Sequence, residues 1–130
     1  MKVLRALGFG ALLWVFLFFE VSVLMFGLKL EQGSTNFLII HYIAVTLLLG
    51  IASLLYFRGK GIRAGFCEGV IAGFLFLIAG LVLDSIITIP LFILPAGGSY
   101  GAFFLTSWML LGYLETLVVP GVIGLIKTYR

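Results

Sequence analysis

The amino-acid sequence predicts an all-α fold: a polytopic integral membrane protein with four transmembrane helices in one compact bundle. Composition is the first observation, because 63% of the 130 residues are hydrophobic and only 10% are charged, whereas a soluble domain carries about a quarter charged residues. The second is the distribution of apolar residues, which form four segments of about 20 residues that fill nearly the whole chain. No length is left for a soluble domain, so residues 1–130 are expected to form a single transmembrane domain.

The first two spans are expected at residues 6–28 and 36–57. Two basic residues, Lys2 and Arg5, precede the first apolar run, as they do in a signal peptide. However, the run is long, lacks a small-x-small cleavage site and contains Glu20, which favours an uncleaved transmembrane helix. A short polar loop then leads into the second span.

The last two spans are expected at residues 64–89 and 102–126. A basic turn at residues 58–63 introduces the third span, and Pro90 disturbs its far end because proline cannot donate a backbone hydrogen bond. The apolar residues after Pro90 either extend a kinked helix or lie at the membrane interface. An uncharged loop rich in glycine, residues 95–101, precedes the fourth span.

The basic residues predict the orientation of the chain, because cytoplasmic loops carry an excess of lysine and arginine. With the four spans above, only Lys29 falls on one side of the membrane. Seven fall on the other side: Lys2, Arg5, Arg58, Lys60, Arg63, Lys127 and Arg130. Both termini are therefore expected in the cytoplasm, and the lipid bilayer of a prokaryotic cell (inner) membrane is the expected surroundings. Basic residues at membrane edges, rather than on a binding face, indicate no nucleic-acid role.

Four glycines mark one face of the third span: Gly65, Gly69, Gly73 and Gly80. At about 100° per residue they fall, together with Asp84, within roughly 100° of arc. Small residues in a membrane helix allow the backbone of another helix to approach closely. This glycine face therefore predicts tight packing against a helix of the same chain, a second copy in a homo-oligomer or another membrane protein.

Four ionisable residues lie within the predicted spans and form the candidate site: Glu20, His41, Asp84 and Glu115. A rise of about 1.5 Å per residue places the first three in the outer half of the bilayer and Glu115 near the middle. One interpretation is a polar cluster that pins helices together through hydrogen bonds. The other is a proton- or cation-binding site on a transport path, since neighbouring carboxylates in a low dielectric cannot all stay ionised.

Two prolines, Pro90 and Pro120, bear on that choice. Each is expected to free the carbonyl four residues earlier, that of Ile86 or of Thr116, close to an acid. Broken helices beside acids form the ion sites of many transporters, although a plain proline kink is also common in membrane helices.

Other chemistries find little support in the sequence. Residues 97–101 match G-x-S-x-G, and Ser99 with His41 could act as nucleophile and base, but no strand precedes the serine as the hydrolase motif requires. A rhomboid protease has more helices than this chain, so no enzyme activity is expected. Glu20, His41 and Asp84 could supply three metal ligands, yet no helix carries a ligand pair at i, i+3 or i+4. We therefore predict no metal site.

Cofactor and redox chemistry are not expected either. The single histidine excludes bis-histidine haem within one chain. The single cysteine, Cys67, allows no intrachain disulfide, and the absence of C-x-x-C argues against membrane thiol oxidoreductases.

The pair Glu20-Val21 in the first of four short spans resembles the small multidrug resistance transporters. Those are compact, dimeric, proton-coupled exporters whose first-helix glutamate binds substrate and protons, and the resemblance implies that role for Glu20. Asp84 and Glu115 depart from that family's acid-poor pattern, so membership is not inferred. The sequence favours a structural or accessory membrane protein with a buried polar cluster. The alternative is a small proton- or cation-coupled transporter that uses Glu20, Asp84 and Glu115.

Overall fold

The structure is a computed structural model that describes residues 2–31 and 34–128, and this part of the chain is helical, without a strand. Two of the α-helices continue into π-helical segments, which we call π1 and π2. In chain order the elements are α1 Val3–Ser22, π1 Val23–Gly27, α2 Thr35–Phe57, α3 Phe66–Leu83, π2 Asp84–Ile93, α4 Tyr100–Phe104 and α5 Ser107–Thr128.

Four of these helices are long and apolar enough to cross a membrane. They cover Val3–Gly27, Thr35–Phe57, Phe66–Ile93 and Met109–Thr128. The predicted all-α class with four helices of spanning length is confirmed at this level.

The third helix continues through Pro90 to Ile93, beyond the span end expected at Ile89, so the apolar residues after Pro90 extend the helix, the first of the two expected alternatives. The physical reason is a change of register, because a π-helix bonds each N–H to the carbonyl five residues earlier. The Leu94 N–H, for example, donates to the Ile89 carbonyl at 2.9 Å. In this register the missing N–H of Pro90 leaves the Ser85 carbonyl without a backbone donor from the helix, rather than the expected carbonyl four residues before the proline.

A tyrosine from the next element covers that carbonyl. The Tyr100 hydroxyl lies 3.5 Å from the Ser85 oxygen and donates to it. Tyr100 opens α4, whose N-cap is Ser99, because the Ser99 hydroxyl accepts from the Ala102 N–H at 3.2 Å. The carbonyl freed by Pro90 is therefore paired by the first residue of α4.

The predicted fourth span, residues 102–126, is also corrected, because it is not one helix. The helix is interrupted between α4 and α5, and two side-chain hydroxyls donate hydrogen bonds to carbonyls at the end of α4. Tyr113 donates to the Phe104 carbonyl at 3.0 Å, and Thr106 donates to the Phe103 carbonyl at 3.3 Å. These bonds satisfy carbonyls that have no partner inside so short a helix.

The four long helices form a closed ring in the order α1, α2, α5, α3. Neighbours in this ring make the main contacts, and the pair α3–α5 is the most extensive. The side chains between the helices form one apolar core: Ala6, Leu13, Val45, Leu49, Ala52, Tyr56, Ala72 and Phe76.

One end of the bundle, the basic end, ties three helices together. Arg5 of α1 donates to the carbonyls of Leu55 and Tyr56 at 2.5 and 3.2 Å, at the C-terminal end of α2, where a cation also interacts favourably with the helix dipole. The hydroxyl of Tyr56, a fully buried residue, donates to Glu68 at the start of α3 at 2.8 Å. The basic residues predicted for the cytoplasmic side belong to this end, except Arg130, which lies outside the described residues.

Candidate functional site

Glu20 and His41 form the polar contact between α1 and α2. The Glu20 Oε2 and His41 Nδ1 atoms lie 2.8 Å apart, and the side chains are only 16% and 13% exposed. The imidazole also stacks on Phe37, with ring centroids 5.5 Å apart. The second oxygen of Glu20, Oε1, is buried and has no hydrogen-bond partner among the described residues.

Asp84 forms the polar contact between α1 and π2. Its Oδ1 atom accepts two hydrogen bonds of 2.8 Å, one from the Trp14 indole N–H and one from the Thr88 hydroxyl. Thr88 lies one turn beyond Asp84 on the same segment. One of these donors is therefore local and the other fixes the position of α1 against the third helix.

Glu115 forms the polar contact between α2 and α5. Its Oε2 atom accepts a hydrogen bond from the Thr46 hydroxyl. Its other oxygen, Oε1, is buried and, like that of Glu20, lacks a hydrogen-bond partner in the described part of the chain. His41 is close enough to Glu115 to act on it electrostatically, so the contacts made by Glu20 and Glu115 are neighbours along α2.

The structure thus places the four predicted polar residues in three separate contacts, where the sequence suggested one cluster. Asp84 makes no hydrogen bond to Glu20 or His41 within residues 2–31 and 34–128. It meets α1 at Trp14, which precedes Glu20 by roughly 9 Å of helix rise. The same ranges contain no group of three or more histidine, cysteine or acidic side chains placed to hold a metal ion.

The glycine face of the third span meets two different helices. A side chain at Gly69 would collide with the Pro120 carbonyl, and one at Gly73 would collide with the Thr116 carbonyl, both on α5. The third contact is seen from α5: a side chain at Gly124 would collide with the backbone carbonyl of Gly65.

Gly80 departs from this pattern, because the nearest atom to a Cβ there belongs to Trp14 of α1, at 4.0 Å. The glycine face is therefore used within the chain, tightly against α5 and loosely against α1. We call the contact of Gly65, Gly69 and Gly73 with α5 the glycine seam.

Pro120 shapes this seam. In the α-helical register it frees the Thr116 carbonyl, as the sequence predicted, and that oxygen lies directly over Gly73. A glycine Cα–H can donate a weak hydrogen bond to such a carbonyl. The freed Thr116 carbonyl is thus packed against Gly73 of α3. The Thr116 hydroxyl donates to the Gly112 carbonyl at 2.7 Å, within α5.

Ser99 and His41, considered as a nucleophile and base, are engaged elsewhere. Ser99 caps α4 and His41 pairs with Glu20. No hydrogen bond joins the two within the described ranges.

The sequence reasoning missed the donors opposite the acids, namely Trp14, Thr46 and Thr88. Of these three donors, only Thr88 had a signal in the sequence. Thr88 follows Asp84 at i+4, the spacing of facing side chains on a helix. Trp14 and Thr46 become partners only through the packing of different helices. Small residues outside the glycine face were missed too: a Cβ at Gly10 would lie 2.8 Å from the Phe76 backbone, and one at Gly121 would lie 2.9 Å from the side chains of Phe66 and Val70.

No protein-family model, curated protein or solved structure matches this chain.

Proposed function

We propose that this chain is a small integral membrane protein of structural or accessory type, in the prokaryotic cell membrane, with both termini in the cytoplasm. Its polar side chains serve to fix how the four spans pack. The observation that carries this proposal is how the polar side chains are distributed among the helix pairs. Three neighbouring pairs in the ring each contain one polar contact, and the fourth pair contains the glycine seam.

This distribution is what a helix bundle needs in lipid. Lipid tails are as apolar as leucine, so helices gain little from hiding apolar side chains against one another. Close backbone packing and hydrogen bonds between helices supply the association instead, each bond contributing about 0.6–2 kcal/mol. Glu20–His41, Trp14–Asp84 and Thr46–Glu115 would set the register of three contacts, while the glycine seam sets the fourth.

The outward surface supports a membrane setting. Large apolar side chains on α2 point away from the bundle, including Ile43 at 59% and Leu47 at 63% exposure. Such a surface suits lipid or the spans of another membrane protein, which is the partner expected of an accessory subunit.

The test is a comparison of two substitutions at Glu20. Glu20→Gln keeps an oxygen that accepts a hydrogen bond from His41, so we expect the free energy of unfolding in bicelles to change by less than about 0.5 kcal/mol. Glu20→Leu removes that oxygen and should cost about 1–2 kcal/mol. Equal stability of Glu20→Leu and the wild type would contradict a packing role.

A proton- or cation-coupled transporter is the second candidate, favoured by one observation. Glu20 and Glu115 each keep one buried carboxylate oxygen without a hydrogen-bond partner in the described residues. Buried polar atoms without partners call for an explanation, and a bound proton or cation is one. Under this hypothesis, Glu20→Gln would fold normally and abolish proton-driven uptake in reconstituted vesicles, an effect that the packing hypothesis does not predict. Asp84, already satisfied by Trp14 and Thr88, would contribute less.

A further inference from the structure

A shallow groove of about 250 Å³ runs along the outer side of α1 near the basic end. Its lining is formed by Leu4, Arg5, Gly8, Phe9 and Leu12. Gly8 makes the depression, because a side chain there would meet nothing within 4 Å. The volume lies below the about 300–1,000 Å³ of sites for drug-sized molecules, and the groove is open and largely apolar. Its lining follows α1 from Leu4 to Leu12, roughly 12 Å of helix rise, and an apolar depression of this length suits one hydrocarbon chain.

The guanidinium of Arg5 lies at one end of this groove, and only some of its N–H groups donate hydrogen bonds. Arg5 donates from Nε and Nη2 to the Tyr56 and Leu55 carbonyls. Its remaining N–H groups have no acceptor in the described part of the chain, although a guanidinium is suited to bidentate contact with phosphate. The Arg5 guanidinium carbon also lies 5.0 Å from the centre of the Phe9 ring, which holds it over the groove.

The neighbouring turn adds positive charge. A Cβ on Gly59 would lie 2.7 Å from Arg5 Nε, so the turn after α2 contacts the arginine directly. Arg58 and Lys60, on either side of that glycine, are exposed. The far end of the groove, Leu12, lies roughly 10 Å further along the helix, the direction an acyl chain takes from its headgroup.

We propose that this groove binds one anionic glycerophospholipid, with its phosphate at Arg5 and one acyl chain along Gly8 towards Leu12. The positive charge at the headgroup position selects an anionic lipid, and the missing side chain at Gly8 makes room for the chain. This site is independent of the polar pairs between the helices.

The test uses the full-length protein in detergent, with native mass spectrometry to measure the first bound lipid. The probes are phosphatidylglycerol and phosphatidylcholine with identical oleoyl chains. We expect phosphatidylglycerol to bind about fivefold more tightly, the effect of roughly one basic side chain near an anionic lipid. Equal affinity for the two lipids in the wild type would overturn the proposal without any variant.

A matched pair of variants tests the groove itself. Gly8→Leu fills it and should weaken phosphatidylglycerol binding by about threefold or more, because the acyl chain loses its contacts. Gly50→Leu is the control, since a Cβ at Gly50 also meets nothing within 4 Å and α2 lies outside the groove. Unchanged binding by Gly8→Leu, or an equal loss in Gly50→Leu, would overturn the proposal.

A competition arm separates lipid from free phosphate. Millimolar glycerol phosphate, which has the headgroup charge without the chains, should leave the first phosphatidylglycerol adduct of the wild type in place. Complete displacement would show that charge alone is bound and would overturn the acyl-chain groove. Because this arm uses only the wild type, it remains decisive if Gly8→Leu fails to fold.

Discussion

The individual acids of this protein differ in how completely they are satisfied. Asp84 accepts two hydrogen bonds on one oxygen, whereas Glu20 and Glu115 each have one oxygen in a polar contact and one buried oxygen without a hydrogen-bond partner in the described residues. The two proposed functions diverge at this point. A packing role needs only the oxygen that is bonded, whereas a transport role needs the other oxygen as well.

Infrared titration of the purified protein separates these roles. The packing role needs no proton exchange at Glu20 or Glu115, so it predicts that neither acid contributes a carboxyl band that titrates between about pH 5 and 8. The variants Glu20→Gln and Glu115→Gln assign any band that is seen. Glu31→Gln is the control, because Glu31 is exposed and lies between spans. A band in that window that disappears in Glu20→Gln or Glu115→Gln would favour proton exchange.

At the scale of single residues, the sequence identified the acids but not the side chains that donate hydrogen bonds to them. A carboxylate inside an apolar run is conspicuous, so Glu20, Asp84 and Glu115 could be selected without a structure. Trp14 and Thr46 could not, because tryptophan and threonine are ordinary in membrane helices and only helix packing brings them opposite an acid. The depth estimate for Asp84 also gave no information about its neighbour, which is Trp14 of α1.

At the scale of helices, the glycine seam is the contact most sensitive to substitution. The backbone of α5 lies directly over Gly69 and Gly73, and backbone cannot rotate away as a side chain can. The antiparallel match of Gly69 with Pro120 and of Gly73 with Thr116 shows that the seam runs along both helices.

Gly73→Ala should therefore destabilise the bundle by about 1–3 kcal/mol, because its Cβ would collide with the Thr116 carbonyl and lie 3.0 Å from Pro120 Cγ. Gly112→Ala is the matched control on α5, where a Cβ meets nothing within 4 Å. That change should be neutral or stabilising by up to about 1 kcal/mol, since alanine favours helix. Unfolding in bicelles measures both, and losses of equal size in the two variants would contradict the seam.

The sequence predicted the helices better than their irregularities. Apolar run length locates the spans, but the passage of the third helix through Pro90 depends on a π register that apolar periodicity does not reveal. The Tyr100 hydroxyl that covers the Ser85 carbonyl comes from a separate element and had no local signal. The break before α5 was also hidden, because it lies inside the apolar run that predicts a fourth span at residues 102–126.

At the scale of the whole molecule, the basic end gives the bundle a polarity. Arg5, the basic turn and Lys127 lie together, and the Ser99 loop lies at the opposite end. Under the positive-inside rule this polarity predicts a membrane orientation with the basic end in the cytoplasm.

Cysteine labelling tests that orientation. The background is Cys67→Ser, because the native cysteine is exposed and would react. In intact cells, a membrane-impermeant maleimide should label Ser99→Cys and leave Arg58→Cys unlabelled until the membrane is permeabilised. Labelling of Arg58→Cys alone would show the opposite orientation. Labelling of both variants in intact cells would contradict a single membrane-spanning bundle.

The most direct test of the packing account is a double-mutant cycle on Trp14 and Asp84, whose hydrogen bond joins α1 to the third helix. Trp14→Phe removes the indole N–H and keeps an aromatic ring against Phe18, while Asp84→Leu removes the acceptor. Unfolding free energies of the two single variants and the double variant give the coupling. The account predicts a coupling of about 0.6–2 kcal/mol, the range for hydrogen bonds between membrane helices. Additive effects, with no coupling beyond the error of measurement, would contradict it.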